Sequence, residues 1–117
     1  LPIFDVSAPF HSKLMKSAVE RMQNVLDTIK FLDFEIPMVT NFDARTITDK
    51  SKIKRLLLDQ LTSPVLWHQS INYLNSNLGV KSFLEVGPKN VLSGLIKRIV
   101  PDCNILNFGE KADLEKI

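Results

Sequence analysis

The chain has 117 residues, 44% of them hydrophobic, which suits one compact domain or part of one and argues against a disordered or fibrous protein. Its formal net charge of +2 is spread along the sequence, with one dense basic cluster at residues 50–55, KSKIKR, so nucleic acid is not the expected partner. The single cysteine, Cys103, excludes an internal disulfide, and no Cys/His grouping has zinc spacing.

No apolar run approaches the roughly 20 residues that span a bilayer, so no membrane association is predicted. The N-terminus lacks the basic start and apolar core of a signal peptide. Together with the single thiol, these features predict a reducing compartment, which is the cytoplasm or an organelle matrix, mitochondrial or plastid.

The first predicted element is a long amphipathic helix. Its apolar residues recur at steps of three and four between Leu14 and Ile29, and Ser12 can cap its start. The stretch FLDFEIP ends it, because the residue before Pro37 is biased toward extended backbone. The next stretch, IPMVTN, is typical of a short buried strand.

Two further helices are predicted in the middle of the chain. TITDKSKIKRLLLDQL has a cap at Thr48 or Asp49 and a stop near Thr62. SPVLWHQSINYLNSNLG begins with Ser63 as N-cap and Pro64 at the first helical position, where a missing N–H costs nothing. The glycine that closes this stretch is the expected C-terminal stop.

The last part of the chain predicts a strand, a tight turn, a helix and a second strand. VKSFLEVGP is an apolar run cut by Gly87 and Pro88, NVLSGLIKRIV has a helical apolar face, and CNILNFG is strand-like. KADLEKI is a candidate terminal helix. Helices that alternate with short apolar strands indicate the α/β class, with a parallel sheet covered by helices on both faces. Since few strands are present, we expect part of a larger layer structure.

The histidine in PFHS is the main candidate for chemistry. His11 lies where an extended segment gives way to a helix, a place where a rigid scaffold exposes side chains, and imidazole titrates near neutral pH. It is either a general base or a capping polar residue, and spacing alone favours the second role. His68, inside a helix, is expected to be a solvated helix residue.

No nucleophile in the sequence suits His11. The neighbouring Ser12 diverges from it at a helix start, Ser93 lies on a helix outside any G-x-S-x-G motif, and Cys103 is typical of a packed thiol. EVGPKNVLSG could bind an anion at a helix start, but Pro88 removes one donor and a nucleotide site is not favoured. KSKIKR is either a docking patch for an acidic partner or, as the pattern favours, a solvated helix start.

Four blocks in order, VSAPFHSKLM, IPMVTNFDAR, IKRLLLDQLTSPVLW and FLEVGPKNVLSGLIKRI, resemble the C-terminal portion of bacterial-type malonyl-CoA:acyl-carrier-protein transacylases of fatty acid synthesis. The resemblance covers nearly the whole chain. It implies an α/β-hydrolase-like large subdomain with a ferredoxin-like small subdomain. Residues 1–8 would end the small subdomain and re-enter the large one, and residues 9–117 would be the C-terminal part of the large subdomain.

The resemblance also implies roles for individual residues. In the family a serine acyl-enzyme carries malonyl from malonyl-CoA to the phosphopantetheine thiol of acyl carrier protein, with no other cofactor and no metal. His11 falls on the general base, and the main-chain carbonyl of Gln60 falls on the group that orients it. Phe10 falls on the position that narrows the acyl pocket against an α-methyl group, and Val91 on the border of that pocket. Lys89 stands where the commoner motif has a second glycine, which leaves the shape of this turn open.

The nucleophilic serine and the oxyanion donors lie upstream in the family, so the chain is not expected to be active alone and would need the N-terminal remainder of the enzyme. Two alternatives stay open. One is a non-catalytic module that binds acyl carrier protein, by weak docking through Lys89, Lys97 and Arg98, or that contacts another subunit. The other is an acyl hydrolase, in which water replaces the thiol acceptor.

Overall fold

The computed structural model describes residues 9–110 and Asp113, and the chain divides into two compact units, Leu1–Trp67 and His68–Ile117. The first unit is mainly helical and the second contains a parallel pair of strands. The elements in chain order are a 3₁₀ turn (Lys13–Met15), α1 (Lys16–Asp27), β1 (Met38–Val39), β2 (Thr46–Ile47), α2 (Lys50–Thr62), α3 (Trp67–Asn72), a π-helical turn (Tyr73–Asn77), β3 (Ser82–Val86), α4 (Val91–Ile99) and β4 (Asn104–Phe108).

The first predicted helix is confirmed as the 3₁₀ turn followed by α1. Ser12 Oγ accepts a hydrogen bond from the Leu14 N–H at 3.3 Å, which is the predicted cap. The helix ends earlier than predicted, because the Thr28 hydroxyl and N–H both donate to the Val25 carbonyl, at 2.7 and 3.1 Å. A hydroxyl that bonds this carbonyl competes with continuation of the helix.

The strand predicted in IPMVTN is present as β1, but it is only half-buried and pairs antiparallel with β2. The loop between the two strands is tied by Asp43, whose Oδ1 accepts from the Thr40 hydroxyl at 2.8 Å and from the Arg45 N–H at 3.2 Å. A two-residue partner such as β2 leaves almost no sequence pattern, so this hairpin was not predicted. It is separate from the parallel sheet.

The second predicted helix is confirmed as α2, which starts after Asp49 and ends at Thr62. The Asp49 carboxylate accepts from the Ser51 N–H at 2.9 Å and from its hydroxyl at 2.6 Å. These two hydrogen bonds hold the pKa of Asp49 below its usual value, and the bond from the Ser51 hydroxyl has the larger effect. Ile53 is buried and α2 packs against α1.

The predicted start of the third helix is wrong. Ser63 has extended backbone, with φ −117° and ψ 152°, and the Leu66 N–H donates to the Asn41 carbonyl at 2.8 Å. An extended backbone is normal for an N-cap, but the Leu66 N–H, which the Ser63 side chain would bind as a cap, is taken by the Asn41 carbonyl, and α3 begins only at Trp67. The predicted stop is confirmed: Gly79 has φ +68°, and the Val80 N–H donates to the carbonyl six residues earlier at 2.9 Å.

The second unit contains the predicted strand, turn, helix and strand. β3 and β4 pair in parallel, in register from Ser82 with Asn104 to Val86 with Phe108, and α4 connects them and packs against β4. The buried side chains of this unit include Ile71, Ile96, Val100 and Cys103. The predicted α/β class with a parallel sheet is therefore confirmed.

The two faces of this sheet differ in burial. One face, on the side of α4, has the half-buried residues Phe83, Glu85, Ile105 and Asn107. The other face exposes apolar side chains: Leu84 (47%), Val86 (72%) and Leu106 (45%). Within the part of the chain that is described, helical cover on both faces was thus not found. Residues 1–8, and the candidate terminal helix KADLEKI apart from Asp113, lie outside the described residues.

Candidate active site

His11 lies in the turn that leads into the first helix, with an exposed side chain and a left-handed φ of +56°. Its Nδ1 is 2.8 Å from the main-chain carbonyl oxygen of Gln60. Because a carbonyl oxygen can only accept a hydrogen bond, Nδ1 must carry a proton and is the donor of this bond. In the neutral imidazole, Nε2 is then the unprotonated nitrogen, which is the form that a general base requires.

The carbonyl of Gln60 is available because of where α2 ends. It belongs to the last turn of α2, whose carbonyls have no partner within the helix. In a longer helix it would accept from the N–H of residue 64, but that residue is Pro64, which has no N–H. The sequence QLTSP therefore leaves an unpaired acceptor, and His11 occupies it.

The serines and the cysteine considered as nucleophiles have other roles in the structure. Ser12 Oγ donates to the Pro9 carbonyl at 2.7 Å, and this bond braces the turn that carries His11. Ser93 Oγ donates to a Glu85 oxygen at 2.5 Å. Cys103 is buried, with 2% of its surface exposed. These arrangements agree with the sequence analysis, which found no suitable nucleophile among the three.

Phe10 and Val91, the two residues predicted to line the acyl pocket, lie in different units. Phe10 directly precedes His11 and is 55% exposed, and Val91 is the first residue of α4 and is 61% exposed. Both side chains are thus accessible to a ligand within their own unit. Their role in a pocket stays a prediction.

The turn between β3 and α4 has two residues with positive φ, Gly87 at +142° and Lys89 at +71°. Lys89 therefore has a backbone conformation typical of glycine, at the position where the resemblance implies a glycine in the commoner motif. Asn107 Nδ2 donates to the Lys89 carbonyl at 2.7 Å and fixes this conformation. The turn also passes close to Gly109, where a Cβ atom would lie 2.9 Å from the Gly87 carbonyl oxygen.

The N-terminus of α4 is occupied by a side chain of the protein itself. Glu85 Oε1 accepts from the Leu92 N–H at 3.1 Å, and Oε2 accepts from the Ser93 N–H at 2.8 Å and from its hydroxyl. The hydrogen bond from the Ser93 hydroxyl, then those from the two N–H groups, holds the pKa of Glu85 below its usual value. These donors are not free for a phosphate, which supports the sequence argument against a nucleotide site in EVGPKNVLSG.

Glu85 and Asn107 were missed by the sequence analysis. They are paired in the register of β3 and β4 and point to the same face of the sheet. The signal in the sequence was the alternation of the two faces along a strand. By this alternation, Glu85 and Asn107 are polar residues at inward-facing positions of otherwise apolar runs. That signal becomes useful only when the register is known.

The residues predicted to dock acyl carrier protein have different environments. Lys97 Nζ donates to the Pro101 carbonyl at 2.9 Å and to the Cys103 carbonyl at 2.6 Å, so it ties the end of α4 to the start of β4. Lys89 and Arg98 are exposed. Their docking role stays a prediction, and in the structure the ammonium group of Lys97 has intramolecular partners.

The basic cluster KSKIKR at the start of α2 is matched by acidic side chains. The pairs are Lys50 with Asp33 at 2.9 Å, Lys52 with Asp49 at 4.0 Å, Lys54 with Asp27, and Arg55 with Asp59 at 3.5 Å. Exposed pairs of this kind contribute little to stability, but they neutralise the field of the cluster. This supports a solvated helix start rather than a docking patch.

His68 is exposed on α3, and Asn72 Nδ2 lies 2.7 Å from its Nε2, as expected for a solvated helix residue. In residues 9–110 and 113, no group of three or more His, Cys, Asp or Glu side chains could hold a metal ion. None of the helices described is both long enough and apolar enough to cross a membrane.

The proteins similar to this chain in sequence or in structure include several that are named as malonyl transacylases or malonyltransferases. The chain is 46% identical over 95 residues to a Bacillus subtilis (strain 168) protein named malonyl CoA-acyl carrier protein transacylase, a match that covers 81% of this chain. An acyl carrier protein S-malonyltransferase from Vibrio cholerae has a TM-score of 0.86 at 37% identity and covers 97% of this chain. A type II PKS acyl-carrier protein in complex with its malonyl-transacylase gives a TM-score of 0.86 at 34% identity, over 97% of this chain and 36% of that one.

No protein-family model matches the chain. The chain spans 30% of the length of the Bacillus relative and 37% of the Vibrio structure. The matches nonetheless cover most of this chain. Their sequence identities, 34–46%, are high enough to support a comparison of more than the fold. By sequence and by structure, the chain is a homologue of one part of the malonyl CoA-acyl carrier protein transacylases.

Proposed function

We propose that the chain supplies the general-base part of an enzyme that transfers malonyl from malonyl-CoA to the phosphopantetheine thiol of acyl carrier protein. The observation that supports this most directly is the bond between His11 Nδ1 and the Gln60 carbonyl at 2.8 Å. In the neutral imidazole this bond leaves Nε2 unprotonated on an exposed side chain, and the chain is similar to proteins named as malonyl transacylases or malonyltransferases.

In the proposed reaction the nucleophile is a serine in the remainder of the enzyme. Nε2 of His11 accepts the proton of the serine as its oxygen attacks the malonyl thioester, and the imidazolium then protonates the departing CoA thiolate. In the second half, Nε2 accepts the proton of the phosphopantetheine thiol as the thiolate attacks the acyl-serine, and the proton returns to the serine oxygen. The Gln60 carbonyl orients the ring throughout and contributes no net charge.

Acyl carrier protein is the proposed protein partner, which is supported by the similarity to a malonyl-transacylase solved with its acyl-carrier protein. The proposed reaction needs no cofactor apart from the phosphopantetheine of the acceptor. Phe10 and Val91 are proposed to line the acyl pocket, with a preference for malonyl over methylmalonyl. We propose that the enzyme acts in the cytoplasm, which is consistent with the bacterial origin of its relatives.

The test is malonyl transfer by the complete protein, meaning the full product of the gene that encodes these residues. His11→Ala is expected to lower kcat/KM by about 10²–10⁴-fold, as loss of a general base does, with an unchanged circular dichroism spectrum. Gln60→Ala is the matched control, because it keeps the main-chain carbonyl and is expected to retain near-normal turnover.

Four outcomes would contradict the proposal. The first is a His11→Ala variant with near-normal transfer, and the second is a complete protein without an upstream G-x-S-x-G serine. The third is release of free malonate in place of malonyl-acyl carrier protein, which would indicate a hydrolase. Binding of acyl carrier protein without any transfer would instead favour the non-catalytic module.

A further inference from the structure

Two polar side chains from neighbouring strands hold the turn that leads into α4. Glu85 on β3 and Asn107 on β4 are register partners on the face toward α4. Glu85 binds the start of the helix, and Asn107 binds the Lys89 carbonyl inside the turn at 2.7 Å. The Gly87 N–H adds a bond to the Phe108 carbonyl at 2.9 Å.

The contacts of Glu85 constrain α4 in more than one direction. Its two oxygens accept from two successive main-chain N–H groups, those of Leu92 and Ser93, and from the Ser93 hydroxyl. A bidentate carboxylate at a helix N-terminus fixes both the depth and the rotation of the first turn, and it matches the sign of the helix dipole. Val91, the first residue of α4, directly precedes these two bonded residues and is therefore placed by this arrangement through the backbone.

We propose that Glu85, assisted by Asn107, is a positioning residue that sets the location of Val91 and thereby the size of the acyl pocket. This inference rests on the proposed function, in which Val91 borders that pocket. Both oxygens of Glu85 accept hydrogen bonds from the start of α4, so the role assigned to it involves no contact with the substrate. It acts through the backbone of α4, which moves as a unit when its N-terminal bonds are lost.

The test compares Glu85→Gln and Ser93→Ala in the complete protein. The glutamine keeps the size of the side chain but puts an NH₂ group where one of the two acceptor oxygens was, so at least one backbone bond is lost. Ser93→Ala removes only the hydroxyl contact. Glu20→Gln, on the exposed surface of α1, is the matched control for the same chemical change.

Two quantities are measured at a temperature at which each variant is folded. The first is the ratio of kcat/KM for malonyl-CoA to that for methylmalonyl-CoA. We expect this ratio to fall about three- to tenfold in Glu85→Gln and about twofold in Ser93→Ala, as a displaced pocket wall discriminates less well against one methyl group. The second is amide hydrogen exchange, which is expected to accelerate at Leu92 and Ser93 in Glu85→Gln.

A purely structural role for Glu85 predicts a lower Tm with an unchanged substrate ratio, and that result would overturn the inference. If Glu85→Gln does not fold, the test rests on the substrate ratio of Ser93→Ala. An unchanged ratio in that variant would also overturn the inference. Unchanged exchange at Leu92 and Ser93 would overturn the inference even if the enzyme is active. Absence of malonyl transfer by the unmodified protein, with accelerated exchange in the variant, would contradict the proposed function but support the fixing of α4 by Glu85.

Discussion

His11 has a backbone conformation that an ordinary surface histidine does not need. A non-glycine residue with left-handed φ costs on the order of 1 kcal/mol or more, and it persists only where its surroundings fix it. Here Ser12 braces the turn through the Pro9 carbonyl, and the Gln60 carbonyl holds the ring. Strain of this kind concentrates at functional sites, because it aims a side chain that a relaxed backbone would turn away.

Phe10 allows a test of substrate choice at the level of one side chain. If it narrows the acyl pocket, Phe10→Ser in the complete protein removes the wall that an α-methyl group would meet. One methyl group is worth about 1–3 kcal/mol in such a pocket, so methylmalonyl use should rise about tenfold or more relative to malonyl. The measurement is the ratio of the two kcat/KM values.

The matched control for Phe10→Ser is Leu14→Ser. Leu14 is another exposed apolar residue, 77% exposed, in the 3₁₀ turn that follows, and it is not assigned to the pocket. The ratio should stay at the wild-type value in this control. The pocket role of Phe10 is refuted if both variants leave the ratio unchanged.

At the scale of elements, the end of α2 determines whether His11 is oriented. Pro64 prevents an N–H from competing for the Gln60 carbonyl, and it also holds Ser63 in extended backbone. Pro64→Ala removes both restrictions, so α2 can extend by a turn and the new N–H at position 64 can bond this carbonyl. A hydrogen bond contributes about 0.5–1.5 kcal/mol net, which predicts a loss of kcat of about two- to tenfold.

The Pro64→Ala prediction is checked by malonyl-transfer kinetics on the complete protein. Val65→Ala is the control, because it changes the next side chain and adds no donor. Helix content from circular dichroism should rise slightly in Pro64→Ala. Full activity together with a longer helix would show that the carbonyl of Gln60 is not what orients the base.

The turn between β3 and α4 carries a strain that one substitution can remove. Lys89 has φ +71°, so Lys89→Gly relieves a left-handed conformation, although glycine also loses more entropy on folding. We expect a net gain of about 0.5–1 kcal/mol in the free energy of unfolding, measured from the denaturant midpoint. Lys81→Gly, at an exposed position without positive φ, should lower the midpoint instead. A loss in both variants would contradict the strain argument.

The sequence predicted the elements with strong periodicity and failed where a distant contact decides. The helices α1, α2 and α4 and the strands β3 and β4 were predicted because their apolar spacing is local information. The start of α3 was not, because a good Ser-Pro helix signal was overridden by the bond from Leu66 to Asn41. A sequence pattern for helix initiation contains no information about a hydrogen-bond acceptor in a different loop.

The candidate site shows the same division. His11 was identified from its position at a junction, but its partner Gln60 came from family resemblance, since 49 residues separate the two in sequence. Glu85 and Asn107 were not identified, because their importance depends on the register of two strands. A single residue at a recognisable local position can be identified from the sequence pattern, whereas two residues that are paired across the fold can be identified only from the structure.

At the scale of the whole molecule, exposed apolar surface is the feature that relates this chain to its longer relatives. The β3–β4 sheet exposes Leu84, Val86 and Leu106 on one face, and the first unit exposes Leu32 and Ile36. Contiguous exposed apolar side chains on a sheet normally indicate an interface. In the relatives compared, the matched region is 27–39% of the protein, so the remaining part is available to cover such faces.

Leu84 distinguishes a covered face from a solvated one in the complete protein. If the remainder of the enzyme packs on this face, Leu84→Ala should lower the free energy of unfolding by about 2–5 kcal/mol, as for a buried leucine. If the face stays in water, the loss should be below about 1 kcal/mol. Ser82→Ala is the control, since it lies on the same face of the same strand and removes no apolar surface. Because Leu84 faces away from α4, a large loss could not arise from the contacts within this sheet and helix, and a small one would mean that the complete protein leaves the face open.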